Sequence, residues 1–195
     1  MSDAHVVALV PVSGRAGLGA IDGVPVVLLT VRRLIGAASV DRVILLPESG
    51  VDIPSAVSDA GDVLVSDSSV SACAAEVAVR AGVVLVHDPL RPFTPVDLVD
   101  RVVRAVLADG RPVVPVLPCT DTVKQVDDTG VVMDTPDRAW LRVVQSPIGY
   151  PAALLSSGAV VAGDVPLGAL MVAGDPLARR VASAVDLVMI DGGLT

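Results

Sequence analysis

The chain has 195 residues and a formal charge of −8, from 22 acidic and 14 basic side chains, and 52% of it is apolar. That length suits one domain with a sizeable core, and the acidic balance excludes a broad nucleic-acid surface, which needs many Lys or Arg to neutralise phosphates. Two or three placed arginines could still hold a small phosphorylated ligand, but Trp, Tyr and Phe occur once each, so a nucleobase would rest on backbone and small side chains.

Residues 5–12, HVVALVPV, form a nearly all-apolar first strand. Asp3 and His5 stand before its apolar residues without a basic stretch, so it does not read as a signal peptide. No uninterrupted apolar run reaches the ~18 residues of a membrane span, and a cytoplasmic protein without membrane contact is expected. Residues 13–23, SGRAGLGAIDG, form a glycine-rich loop after this strand, where phosphate-cradling loops sit. It is neither a Walker A motif nor GxGxxG, and ordinary turn glycines are the alternative. A helix over 24–34 starts near Pro25. A strand over 40–47, a short helix over 53–60, a strand over 62–66, a serine-rich turn and a helix over 72–81 follow.

Next comes GVVLVHDPLRPFTP, residues 82–95. Its four apolar residues, 83–86, read as a central strand with both faces covered. Pro89 and Pro92 stop the strand, and Thr94 or Asp97 is expected to cap the helix beyond. His87, Asp88 and Arg91 thus stand at the C-terminal tip of a core strand, the edge where open α/β sheets bind ligands. Another strand lies over 112–117. Residues 119–138 leave the strand–helix rhythm, turn at 127–130, and read as a hairpin or protruding excursion. Residues 140–145 return as a strand or short helix, with Trp140 packed among Leu141, Val143 and Val144. The prolines and Gly149 of SPIGYP are expected to force a turn. A last strand over 165–172 and a helical pattern holding Arg179 and Arg180 close the chain. Cys73 and Cys119 lack CxxC spacing and read as small buried hydrophobes. Short Val/Leu/Ile strands alternating with helices predict an α/β fold, with a mostly parallel sheet, helices on both faces and right-handed crossovers.

VPVSGRAG (10–17), LVHDPLRPFTP (85–95), PVLPCTDTVKQV (115–126), TPDRAWLRVVQSPIGYP (135–151) and AGDPLARRVASAVDL (173–187) resemble, in order, the VPAAGxGxR, VHDAARPF, PxxDTVK, R…L…QTPQxF and GxxxNxKxTxPxDL blocks of one family. That family is the 2-C-methyl-D-erythritol 4-phosphate cytidylyltransferases of the non-mevalonate isoprenoid pathway. The resemblance covers nearly the full length, and VHDxxRPF with DTVK at this separation carries most of it. It implies a Rossmann-like, GT-A-like nucleotidyltransferase three-layer sandwich, a single domain over 1–195, with a dimerisation arm within 122–145. The implied reaction joins CTP to the sugar-alcohol phosphate and releases pyrophosphate, with Mg²⁺ or another divalent cation, in a homodimer.

By the same resemblance, Asp88 lies near the CTP ribose and phosphates and supports the metal, a role suited to one carboxylate with substrate phosphates. Val12, Ser13, Gly14 and Ser69 enclose the nucleotide. Arg91, Asp121, Thr122, Arg138 and Ser146 face the sugar phosphate, Arg138 from the arm across the dimer. Arg180 falls where the family has a phosphate-clamping Lys, and Arg15 is the nearest cation to a missing loop Arg, so the catalytic set is Arg15, Asp88 and Arg180. The attacking phosphate oxygen is already ionised near neutral pH, so positioning and charge stabilisation carry the reaction. His87 orders the loop through a hydrogen bond rather than acting as a base.

The chain departs from the family at the chemistry. Gly17 falls where the loop Arg would be, and no lysine occurs before Lys124. Pro89 and Leu90 replace two alanines, Ala178 an asparagine, Arg180 a lysine and Ala182 a threonine. Arg is a planar donor and is not equivalent to Lys. These departures keep a second reading open: a catalytically impaired or substrate-shifted paralogue that binds a nucleotide, a sugar phosphate or a protein partner. The residues alone also leave local alternatives. Asp88 could be a strand-end cap, Arg91 a salt-bridge partner, Arg180 part of a solvated helix face, and Asp121 with Thr122 a turn pair.

Overall fold

The computed structural model describes residues 5–13, 19–157, 165–181 and 186. Gly14 and Arg15 of the expected site lie outside them. In chain order, β1 (Val6–Val12) leads to a small hairpin, β2 (Ala20–Ile21) with β3 (Val24–Pro25). Then come α1 (Val26–Ile35), β4 (Arg42–Pro47), α2 (Ser55–Ser58), β5 (Val63–Val65), α3 (Val70–Val77), β6 (Val83–Val86), α4 (Val96–Asp109) and β7 (Val113–Pro118). An arm follows, with β8 (Gln125–Val126), β9 (Val132–Asp134), a 3₁₀ turn at Arg138–Trp140 and β10 (Arg142–Val144). β11 (Ile148–Pro151), α5 (Ala152–Ser156), β12 (Leu170–Ala173) and a 3₁₀ turn at Pro176–Ala178 complete the described elements.

The main sheet runs β5-β4-β1-β6-β11-β7, and β12 takes the free edge of β7. The pairs of β1 with β4 and β6, of β4 with β5 and of β7 with β12 are parallel. β10 and β11 are antiparallel and share the other edge of β7. Alternation along β1 divides the core into two layers. Val6, Ala8, Val10 and Val12 pack with Val27, Val31 and Leu34 of α1 and Val99 and Val103 of α4. Val7 and Leu9 point the other way, toward Cys73 and Ala74 of α3 and Leu155 of α5. Each buried Val or Leu contributes roughly 1.5–3 kcal/mol. The result is a three-layer α/β sandwich with the C-terminal ends of β1, β4 and β6 on one edge.

Several expectations are corrected. Neither Thr94 nor Asp97 caps α4. Pro95 holds the N-cap without a side-chain bond, and the Thr94 hydroxyl donates to the Arg91 carbonyl at 2.9 Å. SPIGYP is a strand, not a turn: after the cis Ser146–Pro147 bond, β11 pairs antiparallel with β6. Gly149 is there for close approach, since a Cβ would lie 2.7 Å from both Val102 Cγ1 and Val106 Cγ2. Trp140 does not pack among its neighbours and is 85% exposed. The last strand starts only at Leu170, because Gly168 turns with φ 80° just before it. Arg179 is extended rather than helical. Cys73 is buried, whereas Cys119 is half-exposed. The β2–β3 hairpin was not anticipated; its Asp22–Gly23 turn has φ 50° and 77°, the left-handed pair that suits tight hairpins.

Candidate functional site

β1 and β6 end side by side, and the apolar runs that bury them stop together. Pro11 and Ser13, residues 86–90, Ser146, Ile148 and Arg180 enclose a cavity of about 280 Å³ there. A second cavity of about 300 Å³ shares Pro11 and Ser13, and also takes in Val12, Glu48, Ser49, Asp67 and Ser69 from the ends of β1 and β4 and the start of α3. Ser69 caps α3, accepting from the Ala72 amide at 3.2 Å.

Asp88 is the hub of the first cavity. Its Oδ2 accepts from Arg180 Nε at 2.8 Å and lies 3.7 Å from Arg91 Nε. Its Oδ1 accepts the Leu90 amide at 3.0 Å. The Asp88 amide in turn donates to Ser146 Oγ at 3.1 Å. Arg91 faces inward, its side chain 13% exposed. Nη1 donates to the Ala178 carbonyl at 2.6 Å and Nη2 to the Val144 carbonyl at 3.2 Å. Arg91 Nε has no hydrogen-bond partner, so its contact with Asp88 is an ionic one. Burial lowers the Arg91 pKa, and the Asp88 charge opposes the shift.

The rest of the tip is pinned residue by residue. Thr30, buried on α1, donates to the Pro89 carbonyl at 2.7 Å. The Val181 amide donates to the Leu90 carbonyl at 2.7 Å. His87 is fully buried, with Nδ1 3.1 Å from Ser146 Oγ. Burial pushes its pKa down to about 4, with the Asp88 charge and the Arg91 carbonyl opposing. The imidazole is therefore neutral at physiological pH, and it orders the tip through Ser146. Behind the cavity, the Gln145 amide donates to the Asp175 carbonyl at 2.7 Å and accepts the Asp175 amide at 2.9 Å. Gly174 is required at this lock, because a Cβ would lie 2.2 Å from Gln145 Oε1.

Of the residues singled out in the sequence, Ser13, Asp88, Ser146 and Arg180 meet at one cavity, while Val12 and Ser69 line the adjoining one with Ser13. Arg91 sits directly behind Asp88. Asp121, Thr122 and Arg138 gather elsewhere, on the arm, around a cavity of about 250 Å³ with Thr135 and Asp137. There Arg138 Nη1 donates to the Thr120 carbonyl at 3.0 Å and Lys124 Nζ to Thr135 Oγ1 at 2.7 Å. Thr30, Gln145, Glu48 and Asp67 were not foreseen. A hydroxyl on the buried stripe of α1 and an amide ending an apolar run were the available signals for the first two.

Among the described residues, no group of three or more His, Cys, Asp or Glu is placed to hold a metal ion. The single Asp88 carboxylate suits a hard cation whose remaining ligands are phosphate oxygens, once Arg180 yields Oδ2. The first cavity thus offers a carboxylate–guanidinium pair and the side chains of Ser13 and Ser146, groups of the kind that hold and orient phosphates. Among the described residues, no helix is long and apolar enough to cross a membrane.

Comparison with known proteins gives a consistent pattern. The model of the IspD family, 2-C-methyl-D-erythritol 4-phosphate cytidylyltransferase, matches residues 17–189. A 2-C-methyl-D-erythritol 4-phosphate cytidylyltransferase of Nocardia farcinica is 41% identical over 216 aligned positions, covering 95% of this chain and 92% of that one. The alignment is longer than this chain, so the relative has segments that this chain lacks. Among solved structures, the 2-C-methyl-D-erythritol 4-phosphate cytidylyltransferase of Thermus thermophilus superposes with a TM-score of 0.74 at 26% identity, over 96% of this chain and 98% of that one. The 4-diphosphocytidyl-2C-methyl-D-erythritol synthase of Anaerococcus prevotii superposes at 0.78 with 18% identity, over 99% of each chain; at that identity the likeness is one of fold, and the fold is the expected Rossmann-like nucleotidyltransferase sandwich.

Proposed function

Because the chain belongs to the 2-C-methyl-D-erythritol 4-phosphate cytidylyltransferase family, we propose that it transfers the CMP moiety of CTP to 2-C-methyl-D-erythritol 4-phosphate and releases pyrophosphate. The observation that carries this reading is the convergence of Ser13, Asp88, Ser146 and Arg180 on one strand-edge cavity. In the reaction a phosphate oxygen bonds to the α-phosphorus while the bond from that phosphorus to the bridging oxygen of pyrophosphate breaks. No proton has to move, so the protein supplies position and charge.

The nucleoside end occupies the cavity of Val12, Ser13 and Ser69. Glu48 and Asp67 in that cavity accept from hydroxyl or amino groups and repel phosphates, which directs the triphosphate toward Arg180. Arg180 leaves Asp88 for the phosphates, and Arg15 adds a second cation. Asp88 is the residue that would hold a divalent cation such as Mg²⁺. The ion, when bound, screens the phosphate charges and polarises the reacting phosphorus. Arg91 fixes the wall on which the sugar phosphate rests, beside Ser146. Asp121, Thr122 and Arg138 act from the arm, Arg138 into a partner copy's cavity in a homodimer. Val132, Met133, Trp140 and Val143, all exposed on the arm, are the side chains that such pairing would cover.

Incubation of purified protein with CTP, Mg²⁺ and the sugar phosphate tests the reaction. Pyrophosphate release no faster than without protein would sink it. One observation favours a second reading, a binding protein with altered chemistry: Arg180 is held by Asp88 at 2.8 Å, and Arg15 is the sole cation between β1 and Arg32. Calorimetry showing CTP–Mg²⁺ binding without turnover would select that reading.

A further inference from the structure

We propose that His87 is a positioning residue: its Nδ1–H donates to Ser146 Oγ and thereby turns the Ser146 hydroxyl hydrogen into the cavity, as a donor for a phosphoryl oxygen. The identity of the ligand rests on the transfer reaction proposed above; the tautomer does not.

The argument is one of counting donors and acceptors. A serine hydroxyl has one hydrogen and two acceptor positions. Ser146 Oγ already accepts the Asp88 amide at 3.1 Å, and His87 Nδ1 lies 3.1 Å away. If Nδ1 were bare, the serine hydrogen would point back at the ring and Oγ would show a lone pair to the cavity, repelling an anion. The other ring nitrogen would then carry a hydrogen, yet Nε2 is buried without a hydrogen-bond partner. The Arg91 backbone acts on the ring and raises its pKa, but it forms no hydrogen bond with Nε2, and its carbonyl already accepts Thr94 N at 3.2 Å and Thr94 Oγ1 at 2.9 Å.

If Nδ1 carries the hydrogen, both acceptor positions of Oγ are filled and the serine hydrogen has the cavity as its remaining direction. Nε2 is then left as a bare lone pair. Buried N–H groups without partners are rarer than under-satisfied acceptors, so the geometry selects this second arrangement. Ser146 shares the cavity with Arg180, and an anion seated there would receive both a charged and a hydroxyl donor.

The chain contains two histidines, His5 and His87, so ¹⁵N spectroscopy of the full chain beside its His5→Gln variant assigns each ring. The expected result is a protonated Nδ1 and a bare Nε2 on His87. A protonated Nε2 overturns the proposal. Affinity for inorganic pyrophosphate, used as the probe in calorimetry, supplies the second readout. Ser146→Ala and His87→Leu should each weaken it about tenfold, with the double variant no weaker than either. Asn places a side-chain amide near the Nδ1 position, so His87→Asn should recover most of the affinity, and it covers the case in which His87→Leu fails to fold. Additive losses, or no loss, overturn the proposal. A chain that shows the Nδ1–H tautomer and the non-additive loss, yet never releases pyrophosphate from CTP and the sugar phosphate, defeats the transfer reaction and leaves this inference standing.

Discussion

The strand tip at residues 83–94 and the arm at residues 121–144 are built on opposite terms. Every residue of β6 and His87 is buried, and the loop after them is held by Thr30, Ser146, Arg180 and Val181 from three other segments. The arm has short strands, β8 and β9, paired only with each other, and its apolar side chains face outward. The tip is determined by its own chain. The arm carries surface that its own chain does not cover. Changes at the tip should therefore register in stability and chemistry together, and changes to the exposed apolar side chains of the arm in assembly alone.

The largest expected separation is in acid. His87 binds a proton more weakly folded than unfolded, its pKa falling from 6.5 to about 4. Its contribution to stability is fully present above pH 6.5 and lost as pH falls toward 4, by about 3 kcal/mol. Urea unfolding at pH 7, 5.5 and 4.5, compared with His87→Asn, should show the gap closing as pH falls; a gap independent of pH would contradict it. On the arm, Asp127 is also shifted down, by the Thr129 hydroxyl first and the Val131 amide next, but it is solvent-exposed and should leave no comparable signature.

Asp88→Asn comes next. It keeps an acceptor for the Leu90 amide and removes the charge that holds Arg180, and pyrophosphate release should fall about a hundredfold. An unchanged rate would place the chemistry elsewhere. Gly149→Ala, at the back of the tip, forces a methyl against Val102 and Val106 and should cost about 2 kcal/mol, read as a lowered urea midpoint. The smallest effect on the fold belongs to Trp140→Ser, within about 0.5 kcal/mol. It should shift light-scattering mass from dimer toward monomer; a wild type that is already monomeric would break the contrast.

The two regions also differed in how far the sequence disclosed them. Val83–Val86 was legible to the residue because a strand covered on both faces needs an uninterrupted apolar run. β11 was hidden, because Gly149 and Pro151 carry the signature of a turn, whereas here the glycine answers to the pressure of α4 from above. Trp140 misled for the opposite reason: an aromatic beside apolar residues reads as core, and no local pattern tells a surface that awaits another molecule. At the site, Asp88 was visible as a polar break after a buried strand. Its companions Ser13, Ser146 and Arg180 come from distant segments, and only the order of family motifs linked them. Thr30 and Gln145 act through backbone carbonyls and amides far along the chain, which composition cannot reveal.

Arg91 gives the tip a chronology as well as a shape. Its two backbone partners lie 53 and 87 residues further along the chain, and the Arg180 that faces Asp88 lies 92 residues beyond it. Contacts of such separation are the slowest to close, and during synthesis their later partners emerge last. The sheet from β1 to β6 can form while the cavity it serves is still open on one side. A cavity that needs both Arg91 and Arg180 in place is therefore complete only when residues 174–181 rest on the tip.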